Sequence, residues 1–65
     1  MNKVKGYRVM ANLTQEELAT LINMPLRTYQ TKEQGETEFK VSELVAIRGI
    51  LESKGLLVSL DELAG

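Results

Sequence analysis

Between Ile22 and Leu26 one helix has to stop and another has to start, and few folds satisfy that demand. Thr14 precedes Glu17 by three positions, so its hydroxyl can accept from the Glu17 N–H while the Glu17 carboxylate accepts from the N–H of Thr14. This reciprocal capping box marks a helix start, and Leu13 with Leu18 is placed to form the hydrophobic staple that sets the entry angle. Leu18, Ala19 and Ile22 then recur at helical spacing on one face, with Gln15, Glu16 and Thr20 elsewhere. Asn23 stands where a left-handed residue ends a helix. Pro25 cannot continue a helix but can begin one, because the N–H it lacks would be unpaired in a first turn anyway.

The second helix is expected over about residues 25–34, closed by Gly35. On it Tyr29 and Glu33, with Leu26 at the edge, face one way, while Arg27, Thr28 and Thr31 face the other. Ala19, small and central in the preceding helix, allows a close and steep crossing. Two short helices so joined form a helix-turn-helix.

At these residues the chain resembles the Cro/phage-repressor type of helix-turn-helix proteins, also called XRE or lambda-repressor-like. That family carries a Leu-Thr-Gln-x-x-Leu-Ala opening, a turn, a recognition helix and then Glu-x-Gly. Here these are Leu13, Thr14, Gln15, Leu18 and Ala19, followed by Glu33 and Gly35 at the same separation, with Arg8 where the family keeps an arginine in its first helix. The resemblance covers about residues 3–51, and beyond them the chain aligns only if about five residues near 52–56 are an insertion. It implies an all-α fold of five short helices, lambda-repressor-like, with the helix-turn-helix at helices 2 and 3.

Sixty-five residues suggest one domain, 1–65, with the motif at about 14–35 and little room for a core. A chain this small must be densely helical or oligomerise. The absence of cysteine and histidine removes disulfides, zinc fingers, cysteine nucleophiles and imidazole acid–base pairs. No apolar run approaches the roughly 20 residues of a membrane span, and none resembles a signal peptide. The expected setting is the cytoplasm or nucleoid of a bacterial host, without membrane, cofactor, metal or small-molecule ligand.

The net charge of −1 is unusual for a nucleic-acid binder, which draws most of its non-specific affinity from basic side chains. Its distribution is uneven. Residues 1–32 carry Lys3, Lys5, Arg8, Arg27 and Lys32 against Glu16 and Glu17, whereas residues 33–65 carry seven acids against Lys40, Arg48 and Lys54. The expectation is modest, strongly salt-dependent DNA affinity.

Along the chain, Asn2 can cap a first helix reaching about Ala11, in which Val4, Arg8 and Ala11 share a face flanked by Val9. Asn12 can return the chain into Leu13 in a left-handed conformation. After a loop at 35–40, Phe39 and Leu44 can staple a fourth helix over about 41–54, apolar at Leu44, Ile47, Ile50 and Leu51 and closed by Gly55. Ser59 with Glu62 forms another capping box, and Val58 with Leu63 another staple, so a short last helix follows. Residues 56–58 are the one candidate strand. Leu56, Leu57, Val58, Leu60 and Leu63 either complete the core or supply a two-fold contact, which makes 56–65 a candidate dimerisation segment.

Further roles follow from the resemblance. The second helix of such a motif lies in the major groove with its N-terminal residues at the base edges. The base-facing places are Leu26, Arg27, Thr28 and Thr31. Arg27 can give two hydrogen bonds to one guanine, worth about 1–3 kcal/mol of discrimination. Thr28 and Thr31 can offer a hydroxyl or a methyl, and Leu26 can meet a thymine methyl or pack on sugar. Gln15 takes the phosphate-binding place at the first motif helix, with Gln34, Lys40 and Asn23 as further backbone contacts; the alternative for Gln15 is an ordinary exposed first-turn residue. Arg8 is expected to pair with Glu33 as a structural ion pair, the alternative being an exposed cation. Two positions depart from the pattern: Pro25 replaces a Ser or Thr cap, which would start the recognition helix one residue late, and Lys32 replaces an apolar residue and could snorkel toward phosphate.

Catalysis is not expected, since no cluster pairs a nucleophile with a base. Two readings remain. One is a sequence-specific double-stranded-DNA-binding repressor, small and Cro-like, of phage or prophage type, acting as a homodimer on an inverted repeat. The other is a protein-interaction module, antirepressor or antitoxin-like, that keeps the fold without reading DNA.

Overall fold

The computed structural model describes residues 2–65, and these form five helices: α1 (Val4–Met10), α2 (Gln15–Leu21), α3 (Leu26–Gln34), α4 (Val41–Ser53) and α5 (Leu60–Ala64). Each boundary has a local cause. Thr14 Oγ1 accepts from Glu17 N at 3.0 Å and Glu17 Oε1 accepts from Thr14 N at 2.8 Å, closing the capping box of α2. Ser59 and Glu62 repeat it at α5, with 2.8 and 3.1 Å bonds. At α4 only half of that arrangement exists, because Lys40 has no acceptor to offer. There Glu43 Oε1 accepts from Lys40 N at 2.7 Å.

The turns need backbone that most residues avoid. Asn12 and Asn23 adopt φ of 62° and 60°, the left-handed region that asparagine tolerates. Gly35 takes φ 89° after α3, where the chain doubles back with Gly35 N donating to Lys32 O and Glu36 N to Thr31 O, both at 3.1 Å. A side chain at Gly35 would be strained, so the C-terminal stop of α3 depends on this glycine.

Three boundaries differ from expectation. Pro25 is the N-cap of α3 and makes no side-chain cap bond, so the helix begins at Leu26. The first helix opens at Val4 behind Lys3, yet Asn2 still serves it, because Asn2 Oδ1 accepts from Val4 N at 3.1 Å. Residues 56–58 form no strand. Leu56 N instead donates to Leu51 O at 2.9 Å as the chain leaves α4.

Val4, Leu13, Leu18, Ala19, Tyr29, Leu44, Ile47, Leu51, Val58 and Leu63 are the buried core. Each fully buried aliphatic side chain contributes about 1.5–3 kcal/mol relative to exposure. All three expected staples put their C-terminal partner, Leu18, Leu44 or Leu63, in this core; Leu13 and Val58 are buried with them and Phe39 partly so. The two ends of the domain meet where Lys3 N donates to Leu63 O at 3.0 Å. Of the five apolar residues weighed for a two-fold contact, Val58 and Leu63 are buried, Leu56 and Leu60 pack partly against the core, and Leu57 is 85% exposed. Most of that segment therefore goes to completing the core. The Tyr29 and Phe39 rings, centroids 5.8 Å apart and tilted by 57°, tie α3 to the loop before α4.

Candidate nucleic-acid interface

Helix α3 has two faces with opposite fates. Tyr29 and Glu33 turn inward and are buried, while Arg27 and Thr28 are exposed and Leu26 lies at the edge. A side chain that is to read a base must be free, and the helix carrying it must be fixed.

Fixing is done by the Glu33 carboxylate. Arg8 Nε donates to Glu33 Oε2 at 2.9 Å, and a second guanidinium nitrogen approaches Oε1 at 3.4 Å. The Tyr29 hydroxyl donates to Oε2, and Gln15 Nε2 donates to Oε1 at 2.8 Å. Arg8 also donates to the Leu13 carbonyl at 2.7 Å. One carboxylate thus joins α1, α2 and α3. Burial alone would push the Glu33 carboxyl up, but the hydrogen bonds from Arg8, Tyr29 and Gln15 outweigh it and hold it below the ordinary range. Burial, then the bond to Glu33, pushes the Tyr29 phenol well above its ordinary value. The bond to Glu33 likewise raises Arg8. No buried side-chain polar atom among the described residues lacks a partner.

The expected Arg8–Glu33 ion pair is therefore present, with Arg8 buried rather than an exposed cation. Gln15 is half-buried and more committed than the phosphate-binding place implies. Its Nε2 serves Glu33, and its Oε1 accepts from Gln30 Nε2 at 3.1 Å. One N–H of the Gln15 carboxamide is left to point elsewhere. Gln30 was not singled out from the sequence; its signal was its place three residues before Glu33, on the edge of α3 that meets α2.

Lys32 behaves otherwise than expected. Its Nζ lies 2.7 and 2.8 Å from the two carboxylate oxygens of Glu43, which draws the ammonium to α4 instead of toward phosphate. Burial raises the Glu43 carboxyl, but the Lys32 ammonium and the Lys40 N–H hold it below its ordinary value. Asn2 Nδ2 also donates to the Lys32 carbonyl at 2.9 Å, anchoring the end of α3 to the start of the chain. Thr31 donates its hydroxyl to the Arg27 carbonyl at 2.9 Å, so it keeps a lone pair and a methyl for any outside group. Gln34 and Lys40 are exposed, as is Asn23 in the turn.

Arg27, Thr28, Thr31 and Lys32 line a shallow depression together with Thr37 and Glu38 from the following loop. With Arg8 bound to Glu33 and Lys32 to Glu43, the cations of residues 2–32 without an ion pair among the described residues are Lys3, Lys5 and Arg27. The basic half is thus less basic in the fold than in the sequence.

No helix among the described residues is long and apolar enough to cross a membrane. No curated protein and no solved structure matches the chain significantly. A family model described as helix-turn-helix, however, matches residues 4–63, which takes the likeness past the added residues near 52–56 and into α5. With that span, and with α1, α2 and α3 joined through the Glu33 carboxylate, the chain belongs to the XRE, or Cro/phage-repressor, helix-turn-helix family of DNA-binding regulators.

Proposed function

We propose that the protein is a small Cro-like transcriptional repressor of phage or prophage type that binds an inverted-repeat operator as a homodimer, with α3 in the major groove. The observation that carries this reading is the division of α3: Glu33 and Tyr29 hold one face in the core, and Arg27 and Thr28 stand free on the first turn of the other. In such motifs it is the N-terminal residues of the second helix that meet base edges. Arg27 supplies a bidentate contact to guanine. Thr28 and Thr31 add a methyl or a hydroxyl oxygen, and Leu26 adds an apolar contact. Gln15 directs its remaining N–H to a phosphate, with Gln34 and Lys40 as flanking backbone contacts. Leu57, 85% exposed beyond the end of α4, is the part of 56–65 available to a second copy.

Selection from a random duplex pool, at low and near-physiological salt, tests the reading. The wild type should enrich an inverted repeat with half-sites about one helical turn apart or a multiple of it, and Arg27→Ala should lose preference at one symmetric position. Enrichment of nothing at either salt contradicts it.

A second reading rests on the internal neutralisation of Arg8 and Lys32, which leaves an acidic chain with few free cations. In it the fold serves as a protein-interaction module of antirepressor or antitoxin-like kind. Substitution at Leu57 would then abolish function while Arg27→Ala would not.

A further inference from the structure

We propose that Glu38 is a specificity determinant that acts by exclusion: its carboxylate, on the depression that Arg27 also lines, keeps phosphate away and leaves the guanidinium to the neutral acceptors of a base. This rests on the reading of α3 as the recognition helix. The left-handed turn at Gly35 brings the group there. With Gly35 N on Lys32 O and Glu36 N on Thr31 O, the chain folds back along α3, and Thr37 and Glu38 come to line one depression with Arg27, Thr28 and Thr31. Arg27 and Glu38 are both exposed, and among the described residues neither is in an ion pair within 4.0 Å. Lys32, the other cation in the depression, is occupied by Glu43. Among the described residues, the depression is therefore lined by one positive and one negative side chain that are in no ion pair within 4.0 Å.

A guanidinium at a protein–DNA interface can be satisfied by phosphate oxygens or by the O6 and N7 of guanine. Phosphates occur at every register, so an arginine that turns to one supports non-specific complexes as well as specific ones. A neighbouring carboxylate shifts that balance. It repels a phosphate, which carries a full negative charge, far more than the uncharged edge of a guanine. Discrimination thus comes from a repulsive element against the wrong partner, at some cost in total affinity.

The test is a titration of wild type and Glu38→Gln against the selected operator and against a scrambled duplex of equal length, at low and near-physiological salt. Glu38 is exposed, and circular dichroism checks that the fold is kept. Binding of Glu38→Gln to the scrambled duplex should tighten roughly three- to tenfold while operator binding tightens about twofold or less, and the gap should narrow as salt rises. Equal tightening on both duplexes, no change on either, or weaker operator binding overturns the inference while leaving α3 as the reader. A wild type that binds both duplexes alike overturns the reading of α3 and the inference with it.

Discussion

Glu33 shows how one buried residue can fix a helix whose exposed face it never reaches. Its carboxylate takes bonds from Arg8, Tyr29 and Gln15, so three helices share a single anchor. Glu33→Gln leaves the Arg8 guanidinium buried beside a neutral group, and breaking a buried pair in this way should cost roughly 3 kcal/mol in urea denaturation. Arg27→Ala, on the exposed face of the same helix, should stay within about 0.5 kcal/mol of wild type. A Glu33→Gln variant as stable as Arg27→Ala would show that the network does not hold the fold. The pair was legible beforehand because Arg8 and Glu33 stand at family positions. Gln30 was not, since its bond to Gln15 depends on how α2 and α3 cross, which no local pattern encodes.

At the scale of elements, what the sequence revealed was what each segment decides within itself. Thr14–Glu17 and Ser59–Glu62 close their boxes at a spacing of three, and Asn12, Asn23 and Gly35 take the left-handed turns their residue types permit. Apart from the Arg8–Glu33 pair, which the family positions disclose, what depends on two elements meeting is not legible in a local pattern. Lys32 looked available to phosphate because Glu43, eleven residues on, comes within reach only when α4 approaches the end of α3. The segment 56–63 left two roles open, core or two-fold contact, because the burial of Val58 and Leu63 requires α5 to fold over the core while Leu57 stays exposed. Two helices carry a cost without a visible local use, α1 at Gly6 and α4 at Gly49. Gly49 lies inside α4, and a methyl group there would meet nothing within 4 Å. Gly49→Ala should therefore stabilise the protein by about 1 kcal/mol, read as a raised urea midpoint with an unchanged slope. A destabilised variant would mean that the α4 surface at Gly49 is closely approached by something else.

For the whole molecule, the same network sets the limits of pH. Glu33 and Glu43 are held below the ordinary carboxyl value of 4.5, so their stabilisation is present above that value and is lost as pH falls through their folded-state values. Tyr29 is held well above the ordinary 10.0, so its contribution is present below pH 10.0 and is lost as pH rises beyond it. With no histidine in the chain, thermal stability should be nearly flat between about pH 6 and 9 and fall on both sides. A steep change inside that plateau would contradict this assignment. Charge at this scale also bears on binding: with Arg8 and Lys32 paired internally, the proposed reading predicts weak sequence-independent attraction and a larger share for the exposed edge of α3.

That edge is tested most directly by a double-mutant cycle between protein and DNA. Wild type and Arg27→Ala would each be titrated by fluorescence anisotropy against the selected operator, with the guanine at the symmetric position either intact or replaced by 7-deazaguanine, which lacks the N7 acceptor. A bidentate contact predicts that loss of the N7 acceptor, one of its two bonds, weakens wild type by about 0.5–1.5 kcal/mol and leaves Arg27→Ala unaffected, so the two losses are not additive. Equal losses in both proteins would contradict it, and Arg27 would then not be the residue that reads the guanine.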